Sequence, residues 1–236
     1  MEESSFQSRL ASVESRIHRA ADQSGRERSE ITLVAVSKKF SATRILEAYE
    51  AGLRDFGENY VQEFAAKRTA VRQLSEAHFH LIGHLQTNKA RLASDLFDVI
   101  QTVDSSKLLA RLNAAAQEIG RTIEVMFEVK LSREQAKTGA RPEDLLELLN
   151  TARDLQHLKV SGLMTMPPWS DDPEQSRPYF RQLAQLRRQH GLPKLSMGMS
   201  GDFEVAIQEG ATLIRVGTAL FGRRPKPDTT ELALLS

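Results

Sequence analysis

The sequence predicts a single (β/α)8 barrel, an α/β fold of eight parallel strands alternating with helices, preceded by one extra helix. Eight short apolar runs recur along the 236 residues, with helical patterns between them. The runs are short and largely apolar, which is typical of strands that are covered on both faces. The chain has no Gly-, Ser- or Pro-rich linker, and its length fits one barrel domain of about 250 residues.

The strands follow from these apolar runs. The first is the β-branched run at 31–36, and the other seven candidates lie at 54–57, 79–82, 98–102, 123–129, 159–164, 195–197 and 213–216. An open doubly wound sheet is the alternative architecture, because periodicity does not show whether a sheet closes.

The helices follow from apolar residues at a spacing of three and four. The extra N-terminal helix is predicted from Phe6, Leu10, Val13, Ile17 and Ala20. Further helices are expected at 41–49, 60–74, 108–119, after Pro142, at 179–186, from 203 onward and at 219–221. We expect one domain over 1–236, with the barrel core at about 28–224 and a loose tail at 225–236.

Composition excludes several function classes. The 32 Lys and Arg residues balance 31 Asp and Glu residues, which argues against a nucleic-acid or membrane-surface binder. The absence of cysteine excludes disulfides, thiolate zinc sites and cysteine nucleophiles. The N-terminus has no secretory apolar region and no apolar stretch is long enough to span a bilayer, so we expect a cytoplasmic protein. His78 and His80 share a strand face without a carboxylate at ligand spacing, so we predict no metal site.

Small and hydroxyl residues follow the last two strands. Ser200 and Gly201 come after the seventh strand, and Gly217 and Thr218 come after the eighth. Phosphate sites in barrels use these two loops, where backbone N–H groups and hydroxyls can donate to oxygen. The alternative is that the hydroxyls only cap helices and the glycines only form turns. A phosphate here requires the nearby carboxylate of Asp202 to point away from it.

Lys38 directly follows the first strand. A lysine at the end of a buried strand is partly desolvated, which makes its amine nucleophilic toward carbonyls. The alternative is a lysine that extends from the barrel rim into water. Together with a phosphate site across the rim, the first interpretation points to an aldehyde that bears a phosphate, and pyridoxal phosphate is such a ligand.

Five motifs resemble those of a known family. The chain contains, in order, LVAVSK at 33–38, FGENYVQE at 56–63, HLIGHLQTNK at 80–89, LSMGMS at 195–200 and IRVGTALFG at 214–222. They resemble the pyridoxal phosphate homeostasis protein family, also called the YggS/PROSC family, from the first strand to Gly222.

The resemblance implies a barrel of the alanine racemase N-terminal type, the fold type III of pyridoxal phosphate proteins. Lys38 would hold the cofactor as a Schiff base, Arg215 would face the pyridine nitrogen and Asn59 would lie near the ring. The phosphate would be held by Ser200, Gly217 and Thr218. The full set of expected cofactor-binding residues is Lys38, Asn59, Ser200, Gly201, Arg215, Gly217 and Thr218.

The resemblance further implies a role in vitamin B6 homeostasis, in which the protein buffers pyridoxal phosphate or delivers it to apo-enzymes. We expect a monomer without catalytic turnover. A cationic arginine beside the pyridine nitrogen disfavours ring protonation and weakens the ring as an electron sink. A single-domain amino-acid racemase is the alternative hypothesis, and a Schiff-base aldolase is a third hypothesis. Lys130 and Lys137 could act in cofactor transfer or be ordinary surface lysines.

Overall fold

The computed structural model describes residues 5–132 and 138–223. Eight parallel strands pair in sequence order and close into a barrel through the pairing of the first strand with the last. The predicted (β/α)8 barrel is confirmed, and the open doubly wound sheet was wrong. The predicted tail at 225–236 lies outside the described residues.

The strands agree with the eight predicted runs to within one residue at each end. They are β1 (Thr32–Val36), β2 (Asp55–Glu58), β3 (His78–Leu81), β4 (Val99–Val103), β5 (Ile123–Glu128), β6 (Leu158–Met164), β7 (Lys194–Ser196) and β8 (Leu213–Val216). Nearly all of their residues are buried, because helices cover the outer face and side chains fill the inside.

Nine α-helices surround the barrel in the described ranges. They are α1 (Phe6–Gln23), α2 (Ala42–Glu50), α3 (Val61–Val71), α4 (Ala90–Leu96), α5 (Ser106–Glu118), α6 (Leu145–Arg153), α7 (Arg177–Gln189), α8 (Phe203–Gln208) and α9 (Thr218–Phe221). Pro142 opens a short 3-10 turn, Pro142–Asp144, that leads into α6. The sequence pattern did not single out α4, whose buried face includes the small residues Ala90, Ala93 and Ser94.

The extra helix α1 packs against α8 and α9, beside the loops that follow the last two strands. The Phe6 and Phe221 rings lie 5.6 Å apart between centroids. Arg9 Nε donates to the Leu220 carbonyl at 2.7 Å, and Arg16 forms an ion pair with Glu204. The helix therefore supports the end of the chain that carries Ser200 and Thr218.

The inside of the barrel has an apolar part and a polar part. Val34, Val99, Met126 and Leu213 form a small buried cluster separate from the main core. Arg215 stands two residues beyond Leu213 on β8, so its side chain points to the same inner face nearer the carboxyl ends of the strands. No helix in the described ranges is apolar and long enough to traverse a bilayer.

Candidate functional site

A cavity of about 440 Å³ opens at the carboxyl ends of the strands. Its lining includes all seven residues predicted from the sequence: Lys38, Asn59, Ser200, Gly201, Arg215, Gly217 and Thr218. A larger groove of about 690 Å³ lies elsewhere, lined by residues of α6, the α6–β6 connection, β6 and the end of α7. Because polar groups of several strands converge only in the first of these two, that cavity is the candidate site.

The backbone around Lys38 is held on both sides. The Ser37 hydroxyl donates to Glu58 Oε1 at 2.8 Å, and Lys67 Nζ donates to the Ser37 carbonyl at 3.2 Å. The Lys39 amide donates to Glu63 Oε1 at 2.5 Å, and Lys39 has a left-handed φ of 64°. Lys38 therefore enters the cavity from a segment whose two neighbouring residues are fixed by α3 and β2.

Those contacts converge on Lys67. Its Nζ lies 2.9 Å from Glu58 Oε1 and 2.6 Å from Glu63 Oε1. Burial raises the pKa of Glu58 above its usual value, although Lys67 and the Ser37 hydroxyl offset part of this effect. Sequence reasoning missed this cluster. The signals were a carboxylate at the end of a buried strand and a Glu63–Lys67 pair four residues apart on a helix.

Asn59 reaches the cavity because its backbone packs on a glycine. A Cβ on Gly83 would lie 2.2 Å from the Asn59 carbonyl oxygen, so only glycine permits this approach. Asn59 Oδ1 is buried and has no hydrogen-bond partner in the described part of the chain. Since buried polar atoms are nearly always bonded, this oxygen is free to bond a ligand in the cavity.

The loops after β7 and β8 meet across the cavity. The Ser200 hydroxyl accepts a long hydrogen bond of 3.4 Å from the Ala219 amide, which joins the two loops. The N-cap positions of α8 and α9 are occupied by Asp202 and Gly217, with no side-chain capping bond at either. Ser200 and Thr218 therefore cap neither helix in the standard position, and both hydroxyls line the cavity.

The carboxylate of Asp202 is engaged by the protein. Its Oδ1 accepts from the Met199 amide at 2.7 Å, and its Oδ2 accepts from the Ser176 hydroxyl at 2.8 Å. Both oxygens are therefore turned to protein donors, as an anion site next to them requires.

Arg215 supplies a buried positive charge at the cavity. Its two terminal nitrogens donate to Ser196 Oγ at 2.6 Å and to the Thr165 carbonyl at 2.9 Å. Burial lowers the pKa of Arg215 to about 10, with partial compensation from Asp202 and Glu128. The guanidinium therefore remains cationic at neutral pH.

In the described ranges, no three His, Cys, Asp or Glu side chains are grouped so that they could hold a metal ion. His80 is buried and bonded to Asp55 and Gln101, whereas His78 is exposed. Sequence reasoning also missed Trp169, which follows β6, lines the cavity and is 82% exposed. Lys137 lies outside the described residues.

Comparison with known proteins shows which family the chain belongs to. Residues 9–225 match the family model of the alanine racemase N-terminal domain. A pyridoxal phosphate homeostasis protein of Aquifex aeolicus (strain VF5) is 42% identical over 222 residues, which cover 92% of this chain and 97% of that protein. The chain belongs to the pyridoxal phosphate homeostasis protein family. The family resemblance of the five motifs is thereby confirmed.

Two solved structures are similar in fold to this chain. PipY of Synechococcus elongatus PCC7942, solved with pyridoxal phosphate bound, has a TM-score of 0.81 and 40% identity, covering 92% of this chain and 100% of PipY. Alanine racemase of Clostridium difficile 630 has a TM-score of 0.69 at 13% identity, covering 94% of this chain and 58% of the racemase. The second similarity shows the fold alone.

Proposed function

We propose that this member of the family binds pyridoxal 5'-phosphate as a Schiff base on Lys38 and serves vitamin B6 homeostasis inside the cell. It does so by buffering the cofactor or delivering it to apo-enzymes. The observation that carries the proposal is the convergence of Lys38, the buried cation of Arg215 and the loops after β7 and β8 on one cavity. PipY, at 40% identity, was solved with this cofactor bound.

The residues of the cavity fit the group chemically. Lys38 offers the amine for the aldehyde carbon, and Arg215 offers a buried cation for the ring nitrogen. Asn59 contributes the amide whose Oδ1 lacks a protein partner in the described ranges. The phosphate is assigned to Ser200, Gly201, Gly217 and Thr218, where glycine backbone and hydroxyls are exposed to the cavity.

Bound here, pyridoxal phosphate supplies an aldehyde that exchanges between amines. Arg215 disfavours a proton on the ring nitrogen, because two positive charges in a desolvated place repel each other. An unprotonated ring stabilises a carbanion poorly, so the site suits holding the cofactor rather than amino-acid chemistry. The racemase alternative rests on a likeness of fold at 13% identity.

The mouth of the cavity is consistent with exchange of the cofactor. Exposed Trp169 and Met166 stand at its edge, so the site stays open to water and to recipient proteins. We propose a cytoplasmic monomer that passes pyridoxal phosphate to apo-enzymes. For Lys130 and Lys137 both interpretations stand, a part in that transfer or an ordinary surface position.

Borohydride reduction tests the proposal. The purified full chain is mixed with pyridoxal phosphate, its visible spectrum is recorded, and the reduced adduct is mapped by peptide mass. A yellow protein with the pyridoxyl group on Lys38 is expected, and Lys38→Ala should abolish both signals. Lys39→Asn is the matched control, because it removes the neighbouring amine while asparagine tolerates the left-handed φ of 64°. An adduct on another lysine, or no colour, overturns the proposal.

A further inference from the structure

A chain of buried polar side chains runs through the inside of the barrel from Arg215 to Asp55. Ser196 Oγ lies 2.6 Å from an Arg215 terminal nitrogen and 2.5 Å from Gln101 Oε1. Gln101 Nε2 lies 3.0 Å from His80 Nδ1, and His80 Nε2 lies 2.9 Å from Asp55 Oδ1. The chain joins five strands, β2, β3, β4, β7 and β8, and we call it the barrel relay.

The donor and acceptor roles in the barrel relay are fixed from its Arg215 end. A guanidinium only donates, so Ser196 Oγ accepts a hydrogen bond from Arg215 and donates one to Gln101 Oε1. Gln101 then turns its amide nitrogen to His80, whose Nδ1 must accept. His80 is left with its proton on Nε2, which donates to Asp55. Every contact is satisfied in this single direction.

A protonated His80 breaks this order. Its Nδ1–H would face the Gln101 amide N–H, so Gln101 would have to flip and donate to Ser196. Ser196 would then receive two donors, and its own proton would lose its acceptor in the relay. The charged side chains on the strands around it are Asp55 and Glu58 on β2, Glu124 and Glu128 on β5, Lys159 on β6, Lys194 on β7 and Arg215 on β8, and Glu124 is paired with Lys194.

Gln101 matters to the cavity because it sets the rotation of the Ser196 hydroxyl. Ser196 and Gln101 are fully buried, so no bulk water can take over either role. With its proton held by Gln101, Ser196 presents a lone pair to Arg215. Without Gln101 the hydroxyl can rotate and place its hydrogen against the guanidinium.

We propose that Ser196 and Gln101 are positioning residues that hold the Arg215 guanidinium toward the cavity, with His80 and Asp55 anchoring them from the amino end of the barrel. The expected effect of this positioning on pyridoxal phosphate binding rests on the proposed function. The order of bonds within the relay does not, because it can be measured without any ligand.

The first test uses ¹⁵N NMR on the ligand-free full chain. We expect His80 to carry its proton on Nε2 with a hydrogen-bonded Nδ1, and the Arg215 terminal nitrogens to rotate slowly. Gln101→Leu should remove the Nδ1 hydrogen bond and speed that rotation. Thr102→Val is the matched control. Thr102 lies next to Gln101 on β4 but outside the relay, and the substitution removes its buried hydrogen bond to the Gly83 carbonyl. Fast Arg215 rotation in the wild type, or an Nδ1–H tautomer, overturns the proposal.

The second test measures pyridoxal phosphate binding and the visible spectrum of the bound cofactor. Gln101→Leu should weaken binding about three- to tenfold, the range for one lost hydrogen bond, and shift the spectrum, whereas Thr102→Val should do neither. Equal effects of the two variants would mean that Gln101 is only structural. If the wild type binds no cofactor, the proposed function fails while the NMR test still decides the relay.

A second variant covers the case in which Gln101→Leu does not fold. In Gln101→Glu the carboxyl group still accepts from Ser196, and one proton must lie between its other oxygen and His80 Nδ1. Binding should therefore stay close to that of the wild type, and His80 Nδ1 should remain hydrogen-bonded. Loss of the Nδ1 hydrogen bond in that variant contradicts the proposed order of bonds.

Discussion

Lys67 Nζ lies 2.9 Å from Glu58 Oε1 in an ion pair that is nearly removed from water, with side chains 10% and 0% exposed. The pair links α3 to the end of β2, and the Ser37 hydroxyl joins it from the segment that carries Lys38. Removing the Lys67 cation leaves the buried Glu58 carboxylate without its ion pair, although the hydrogen bond from the Ser37 hydroxyl remains. Stranding a buried charge in this way is strongly destabilising.

Lys67→Met should therefore lower the free energy of unfolding by about 3–5 kcal/mol, the cost of stranding one partner of a buried ion pair. Denaturant unfolding measures it. Arg91→Ala is the control, because the Arg91–Glu118 pair is 55% and 65% exposed and should cost under about 1 kcal/mol. Adding Glu58→Gln to Lys67→Met should recover part of the loss. A double variant as unstable as the single one would contradict the charge argument.

Glu128 should make stability fall as the pH rises. Burial raises the pKa of Glu128 above its usual value of 4.5, Asp104 raises it further, and Thr138, Arg215 and His84 lower it. The folded chain then holds a proton that the unfolded chain releases. The stabilisation is complete below pH 4.5 and is lost as the pH passes the raised pKa.

Glu128→Gln should accordingly raise the free energy of unfolding at pH 7, with the gain shrinking as the pH falls to about 4.5. Urea unfolding at several pH values measures this trend. Glu147→Gln, at an exposed helix position, should change stability by under about 0.5 kcal/mol at every pH. If the gain in the free energy of unfolding of Glu128→Gln were the same at every pH, the pKa of Glu128 would not be raised in the folded chain.

The predicted strands and the predicted site have a common cause. Parallel strands bring their carboxyl ends to one edge, so Lys38 and Thr218 meet although 180 residues separate them. The barrel relay could not be predicted in this way. Gln101 and Ser196 lie within strands rather than at their ends, and their contact depends on which inward-facing residues share a layer after the barrel closes. A single sequence does not contain that register.

Thr218 gives a direct test of the phosphate assignment. Thr218→Val keeps the shape of the side chain and removes the hydroxyl, so pyridoxal phosphate binding should weaken by about 1.5–3 kcal/mol, the value for a hydrogen bond to a charged acceptor. Equilibrium dialysis measures the dissociation constant. Thr151→Val is the control, since it removes a hydroxyl that donates to the Glu147 carbonyl within α6 and is not among the residues that line the cavity. Equal affinity in Thr218→Val and wild type would remove Thr218 from the site.

Trp169 offers an optical readout of the cavity. It is the chain's one tryptophan, it lines the cavity and it is 82% exposed. A bound pyridoxal chromophore beside the indole should quench its emission in a saturable manner, with the same dissociation constant as the absorbance titration. Trp169→Phe should abolish the fluorescence signal and retain the yellow colour, because the ring stands at the edge of the cavity rather than among the polar residues that hold the ligand.

Quenching that grows linearly with cofactor concentration would indicate optical absorption by free cofactor instead of occupancy of the cavity. Quenching that persists in Lys38→Ala with unchanged affinity would show that the cofactor enters the cavity without needing the covalent bond.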